Sequence, residues 1–289
     1  MKAICILFSC LLDVFRAWHL TQKGQLPKYE ILQLAHRLEK GLLNNDPKPF
    51  WGWEKAKRLA SLLNNCNDSF AKETGSAVLS SYLLVKSHCT NSEEKEMATE
   101  LINKYNFNIN KCHKGGVVNI DKESIMFNGD EQRIISQLFL TRHSTRVFSE
   151  RRVLKTDLLS AIKLAIQSPS ACNRQTTHLY IYQSENIQSI ILTGNIRAFS
   201  VGEFHDWIVS TSIFAAYLSL SLHLFGIGSC IWRKQLYGKH PYNEKTRSLC
   251  KIPKEEKIIL EIRFGYYMEK NTFPVSNRNN ADKICTFIN

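Results

Sequence analysis

Residues 142–175 read RHSTRVFSERRVLKTDLLSAIKLAIQSPSACNRQ, and the order of the parts decides the fold class. A basic, hydroxyl-rich segment, Arg142 to Arg146, is followed by a helix pattern, a loop of small residues and a strand pattern. Within Leu154 to Gln167, the residues Leu158, Leu159, Ile162, Ala165 and Ile166 share one helical face. Ser168-Pro169 stops that helix, because proline disfavours helical geometry in the residue before it. His178 to Gln183 reads as a short strand, and Lys257 to Tyr267 as a buried central one, nearly continuous in Ile, Leu and aromatics. A long helix from about Asp206 to Phe225 lies between them. Helices interleaved with few strands predict an α+β or three-layer α/β domain.

Upstream, Glu131 to Thr141 is a further helix candidate. The polar stretch from Asn106 to Asp130, with Gly115 and Gly116 and little periodicity, reads as a linker. The boundary is placed there, giving a helical N-terminal region at 1–130 and a second unit at 131–289. From Tyr29 to Tyr105 the pattern is of short packed helices with breaks at Asn44 to Pro49 and Asn64 to Asp68. At the N-terminus, Ile4, Leu7, Phe8, Leu11, Leu12 and Phe15 recur at helical spacing, with no A-x-A-type cleavage site after them. An amphipathic helix, packed on the protein or touching a membrane surface, is the preferred reading over a secretory signal. The apolar run Ile213 to Trp232 has the length of a membrane span. It contains His223, Gly226 and Gly228, and a helix buried within a dimer is preferred, so no transmembrane segment is predicted.

A chain of 289 residues, 44 % hydrophobic, suits two modest cores better than one. Nine cysteines without a C-x-x-C pair fit neither a disulfide framework nor a zinc site, and predict reduced thiols in a cytoplasm. His205, Asp206 and His223 have no third ligand at metal spacing. The formal charge of +12 is dispersed and carries no aromatic stacking platform, which speaks against sequence-directed nucleic-acid binding. A polyanion or a phosphate-bearing cofactor remains open.

Two segments could carry chemistry. Arg142, His143, Ser144, Thr145 and Arg146 put two guanidiniums and two hydroxyls beside a helix end, a set suited to a phosphate dianion. Alone, such a segment is more often a solvated turn. The same holds for Ser168 to Gln175, which by itself is a turn. Cys172 and Cys230 read as apolar fillers or as redox-active thiols. Phe50, Trp51 and Trp53 read as a packing cluster.

Together these segments resemble the FMN-dependent nitroreductase family. Its R-R/H-S-x-R/K-x-F pattern is matched by Arg142 to Phe148, and P-S-x-x-N-x-Q by Pro169, Ser170, Asn173 and Gln175. The glycine element closing a long helix is matched by Gly226 to Cys230, and the G-Y end of the last strand by Gly265 and Tyr266. Arg278 stands for the family's C-terminal basic residue. Thr176-Thr177 replace the usual Pro-Trp, Ser276 replaces a lysine, and only about twenty residues separate the first strand from the long helix.

The resemblance implies a central mixed sheet flanked by helices, with the long helix at the core of a homodimer. It implies FMN, with Arg142 and Arg278 on its phosphate, His143 and Ser144 along phosphate and ribityl chain, and Arg146 near the N1 and O2 edge of the ring. Pro169, Ser170, Ala171 and Asn173 would come from the second subunit, Gln175 would also bind the cofactor, and backbone groups near Cys230 and Ile231 would face the reactive side. The implied activity is transfer of hydride from NADH or NADPH to flavin N5 and of electrons onward to a small organic acceptor, with no side-chain catalyst. The alternative is a non-catalytic binding or regulatory protein of the same fold. His36 to Leu42 resembles an element of a longer-chain subgroup linked to surface-polysaccharide pathways, or is a solvated helix end capped by Gly41.

Overall fold

The computed structural model describes residues 25–44, 48–105, 115–185, 187–203, 205–234, 241–274 and 276–288, with isolated positions between residues 4 and 19. Four helices come first: α1 (Pro27–Leu42), α2 (Trp53–Asn64), α3 (Ser69–Ser87) and α4 (Ser92–Tyr105). The first two breaks fall at the predicted polar runs, while the third, at 88–91 between α3 and α4, was not expected from the sequence. Asp68 caps α3, its carboxylate accepting from the Ala71 N–H at 2.9 Å, which satisfies one of the open donors of the first turn.

The stripes Leu32, Leu34, Ala35, Leu38 and Ala56, Leu59, Ala60, Leu63 meet Val78, Leu79, Tyr82 and Leu83 in one core. Trp51 and Trp53 pack edge-on against Tyr82. Gly41 is not the helix cap expected from sequence. It lies inside α1, where a Cβ would meet the Trp51 ring at 2.1 Å, so it admits the indole. Glu39 of the same element accepts from the Gly116 N–H at 3.2 Å and pairs with His36 at 3.5 Å, tying the linker back to α1.

Residues 106–114 of the expected linker lie outside the described residues. α5 (Gly129–Thr141) then begins at a capping box in which Asn128 and Glu131 satisfy each other's backbone. α6 (Lys155–Ala165), β1 (Thr177–Gln183), β2 (Gln188–Asn195), α7 (Asp206–Leu224), β3 (Ile227–Arg233), α8 (Pro241–Leu249) and β4 (Glu256–Tyr266) follow. The sheet order is β1-β2-β4-β3, every named neighbour antiparallel. The parallel component is a single bridge, Ser144 to Ser229.

The sheet has helices on both faces. Leu192 pairs with Leu260 and Thr193 with Ile258, so Ile259 is the extra residue of a β-bulge that re-phases the strand. Ile190, Leu192, Ile262 and Phe264 pack on α6 and α7, while Ile191 and Ile258 meet Ile252 just after α8 on the opposite face. Burial on both faces explains why β4 reads as a continuous apolar run.

Two expectations are corrected. The run Ile213 to Trp232 is not one helix: α7 ends at Leu224, Gly226 turns the chain at φ 69°, and β3 returns along β4. The interval between the first strand and the long helix contains β2, which the sequence reading passed over. Ile4, Leu7, Phe8, Leu11, Leu12 and Phe15 are helical and exposed, so none of them packs on the core, while Asp13 and Arg16 lie outside the described residues.

Candidate functional site

Arg142 terminates α5 with extended geometry, and the chain then runs alongside the edge of β3. The Thr145 N–H donates to the Ser229 carbonyl at 2.9 Å, and Thr145 is buried. Close approach is possible because position 228 has no side chain. A Cβ there would meet Thr145 Cγ2 and Oγ1 at 2.8 Å, and one at Gly265 would meet Phe148 Cβ at 2.6 Å. Three of the sequence landmarks, residues 142–148, 226–230 and 265–266, are thus one packed unit. Tyr266 extends it: its carbonyl accepts from Ser149 N at 3.0 Å, its hydroxyl donates to Asp157 and accepts from Leu154 N, fixing the start of α6.

The donors of this unit are available. Arg142, His143 and Ser144 are half-buried, and Arg146 is exposed, its guanidinium donating to the Ser144 carbonyl at 3.2 Å. Among the described residues no carboxylate pairs with Arg142 or Arg146. A cavity of about 160 Å³ beside them is lined by Thr145, Arg146, Lys270, Asn271 and Phe273. Lys270, Asn271 and Phe273 were not singled out from sequence. Asn271 closes a turn on Met268 through two bonds, and Phe273 stacks on His143 at 4.7 Å and 8°. Only their proximity to Gly265-Tyr266 could have flagged them.

Behind the segment, His223 joins three elements. Its ring nitrogens lie 2.8 Å from Thr141 Oγ1 and 2.8 Å from the Tyr267 hydroxyl. Burial first, then the neighbouring Arg142 and His143, hold His223 below the ordinary histidine range, which favours the neutral ring. A neutral ring can donate at one nitrogen and accept at the other, which suits the two hydroxyls.

The second landmark lies elsewhere. In Ser168 to Gln175, Ser170 Oγ accepts from Gln175 N at 3.1 Å and Ser210 Oγ accepts from Ala171 N at 3.3 Å. Cys172, Asn173 and Gln175 all have φ of 50°, a conformation costing non-glycine residues of order 1–2 kcal/mol each, least for asparagine. Ser170, Gln175, Thr177, Ser210 and Phe214 line a cavity of about 220 Å³. Pro169, Asn173 and Gln175 are exposed on this loop, and Ser170 and Ala171 partly so.

This loop leans on the start of α7, whereas residues 142–146 lean on its end. At 1.5 Å per residue, Ser210 and His223 are separated by roughly 20 Å. The two landmarks do not meet within one chain. Cys230 is buried in β3. Ile231 is half-exposed and shares the strand edge used by Ser229, because alternate residues point their backbone groups the same way. Arg278 is exposed, and its described bond goes to the Ser276 carbonyl at 2.9 Å, not toward Arg142.

Part of the chain is similar to known proteins. Residues 140–198 match the model of the nitroreductase family. A protein of Archaeoglobus fulgidus named as an NADH dehydrogenase/NAD(P)H nitroreductase is 25 % identical over 173 residues, 51 % of this chain and 94 % of that protein. Solved structures that align include an FMN-dependent nitroreductase from Clostridium difficile R20291, 21 % identical over 53 % of this chain and 99 % of that one, with a TM-score of 0.45. A nitroreductase family protein from Streptococcus pneumoniae TIGR4 is 21 % identical over 53 % of this chain and 100 % of that one, with a TM-score of 0.43.

Proposed function

Because this chain carries a nitroreductase-family segment at residues 140–198, we propose that it is an FMN-dependent oxidoreductase, taking reducing equivalents from NADH or NADPH and delivering them to a small organic acceptor. The observation that carries the reading is the packed unit of residues 142–148 on Gly228 and Gly265, with no carboxylate paired to its guanidiniums among the described residues. That donor set fits a phosphate ester: planar guanidiniums give bidentate, charge-assisted bonds, and a hydroxyl completes the shell. The FMN-dependent neighbour and the NAD(P)H-named relative support the choice of cofactors.

In this reading Arg142, His143 and Ser144 hold the phosphate and ribityl chain. FMN, when bound, supplies two-electron chemistry that no side chain here provides. Arg146 contributes a fixed positive charge where the ring gains electron density, and fixed charge in a partly dry site acts without reorganisation. Neutral His223 keeps a third positive charge away from Arg142 while anchoring the segment from behind.

We further infer that the enzyme is a homodimer divided near residue 130 into a helical region and a flavin-binding domain. The support is geometric. The loop at 168–175 and the segment at 142–146 sit at opposite ends of α7, so one site can use both only if a second copy supplies one of them. α5 has no buried residue, Ile134, Phe139 and Leu140 are exposed, and α7 exposes Val209, Tyr217 and Leu224 along one side. Exposed apolar side chains on two neighbouring helices suit contact with another protein surface.

Purified protein is expected to be yellow, to bleach with NADH or NADPH, and to sediment as a dimer. Arg142→Ala is expected to weaken FMN binding roughly ten-fold or more, the equivalent of one charge-assisted bond of about 1.5–3 kcal/mol. A colourless protein that takes up no added FMN would overturn the reading, and unchanged affinity in the variant would overturn the phosphate assignment.

A further inference from the structure

The helical region before residue 130 has no part in the chemistry proposed above, yet α1 packs against the loop at 168–175, and one side chain of that loop carries a polar contact with it. Arg174, in the middle of that loop, is 1 % exposed. Its Nη2 donates to both carboxylate oxygens of Glu203, at 3.0 and 2.9 Å, and its guanidinium lies 4.9 Å above the Phe199 ring. The Gln33 amide of α1, with its oxygen turned toward the guanidiniums, accepts from Arg174 Nη2 and from Arg37 Nη2 at 3.0 Å. Burial works to raise the Glu203 pKa, but the bonds from Arg174 and from Ser200 outweigh it and hold the carboxyl below its ordinary range, so the pair is ionised.

The other arm of the contact also starts at α1. Gln25 donates to the Ala198 carbonyl at 2.6 Å and Leu26 N to the Arg197 carbonyl at 3.1 Å, fixing the turn that leads to Glu203. Tyr29 of α1 packs with Phe199 and Trp207, and Ala171 of the loop lies against the same cluster.

This arrangement is a poor device for stability. Among the described residues Arg174 Nε and Nη1 have no hydrogen-bond partner, and a buried ion pair with unsatisfied donors barely repays its desolvation. It does over-determine a loop whose Cys172, Asn173 and Gln175 are held at positive φ, a conformation that persists only where the surroundings enforce it. We propose that Arg174 is a positioning residue and that α1 is the clamp it engages. Together they hold the loop in the strained form that presents Ser170, Asn173 and Gln175 to the cofactor. The role for the loop rests on the flavin reading; the clamp itself does not.

The test uses the full chain with four variants, of which Arg174→Met removes the charge altogether. Gln33→Ala loosens the clamp from the helix side, Glu203→Gln removes the counter-charge, and Arg174→Lys keeps the charge but loses the fork. Amide hydrogen exchange of residues 168–176 is measured without flavin, and FMN affinity by fluorescence. The thermal midpoint of Gln33→Ala should stay near that of the parent. Exchange in the loop should rise, and FMN binding should weaken by up to about ten-fold, the loss of about one neutral hydrogen bond. Arg174→Lys should fall between parent and Arg174→Met. Faster loop exchange together with weaker binding supports the proposal, and either quantity unchanged in both Gln33→Ala and Glu203→Gln overturns it. If the parent protein binds no FMN, the flavin reading falls separately and loop exchange alone decides the clamp.

Discussion

Substituting Gly228 by alanine tests whether the packed unit of residues 142–148 is what shapes the site. Position 228 is not in the left-handed region, so alanine is conformationally allowed there and would by itself add about 0.4–1 kcal/mol through the unfolded chain. The new Cβ, however, would stand 2.8 Å from Thr145 Cγ2 and Oγ1 and 2.9 Å from Thr145 Cβ. Thr145 cannot swing aside, because it is buried and its N–H is bonded to Ser229. Overpacking of this kind costs typically about 1–3 kcal/mol, so the clash outweighs the entropic gain. With mid-range values of the two terms, net destabilisation of about 1.3 kcal/mol is expected. Because Thr145 lies between Arg142 and Arg146, FMN affinity should fall as well, by about ten-fold if one phosphate bond is lost. The assay is urea unfolding alongside fluorescence titration, with Gly129→Ala as control. A Cβ at Gly129 meets nothing within 4 Å, so that variant should be neutral or slightly stabilising with unchanged affinity. A Gly228→Ala protein as stable as the parent would refute the reasoning.

Lys86→Met should destabilise the protein by about 3–5 kcal/mol, because it strands the buried Glu94 carboxylate without its cation, and Lys86→Met with Glu94→Leu should recover most of it in denaturant titrations. His223 predicts a pH effect. Its folded pKa lies below the unfolded value of 6.5, so the unfolded chain binds the extra proton first and stability is lost as pH falls below 6.5. Thermal midpoints measured from pH 7.5 to 5 should drop less steeply in His223→Gln, and parallel slopes would count against a neutral His223.

Much of the fold was legible from local patterns. The stripes of α1 and α2, the stop at Ser168-Pro169 and the apolar run of β4 are short-range signals, and each element formed within a residue or two of its predicted place. β2 and β3 were not legible, since Gln188 to Asn195 is a short apolar run and Ile227 to Arg233 continues the hydrophobicity of α7 without a break. Only pairing with β4 makes either a strand. The phosphate-suited segment could be read because arginines and hydroxyls carry their chemistry in their identity. Sequence also supplied the glycines at 228 and 265, but not their purpose. Tertiary packing gave them one, by setting Thr145 and Phe148 where a side chain would stand. It also put the loop at 168–175 at the far end of α7 and buried Arg174 against α1. Residue type and local periodicity are properties of the chain alone, whereas which residues close on one another depends on a core that exists only once the chain has folded.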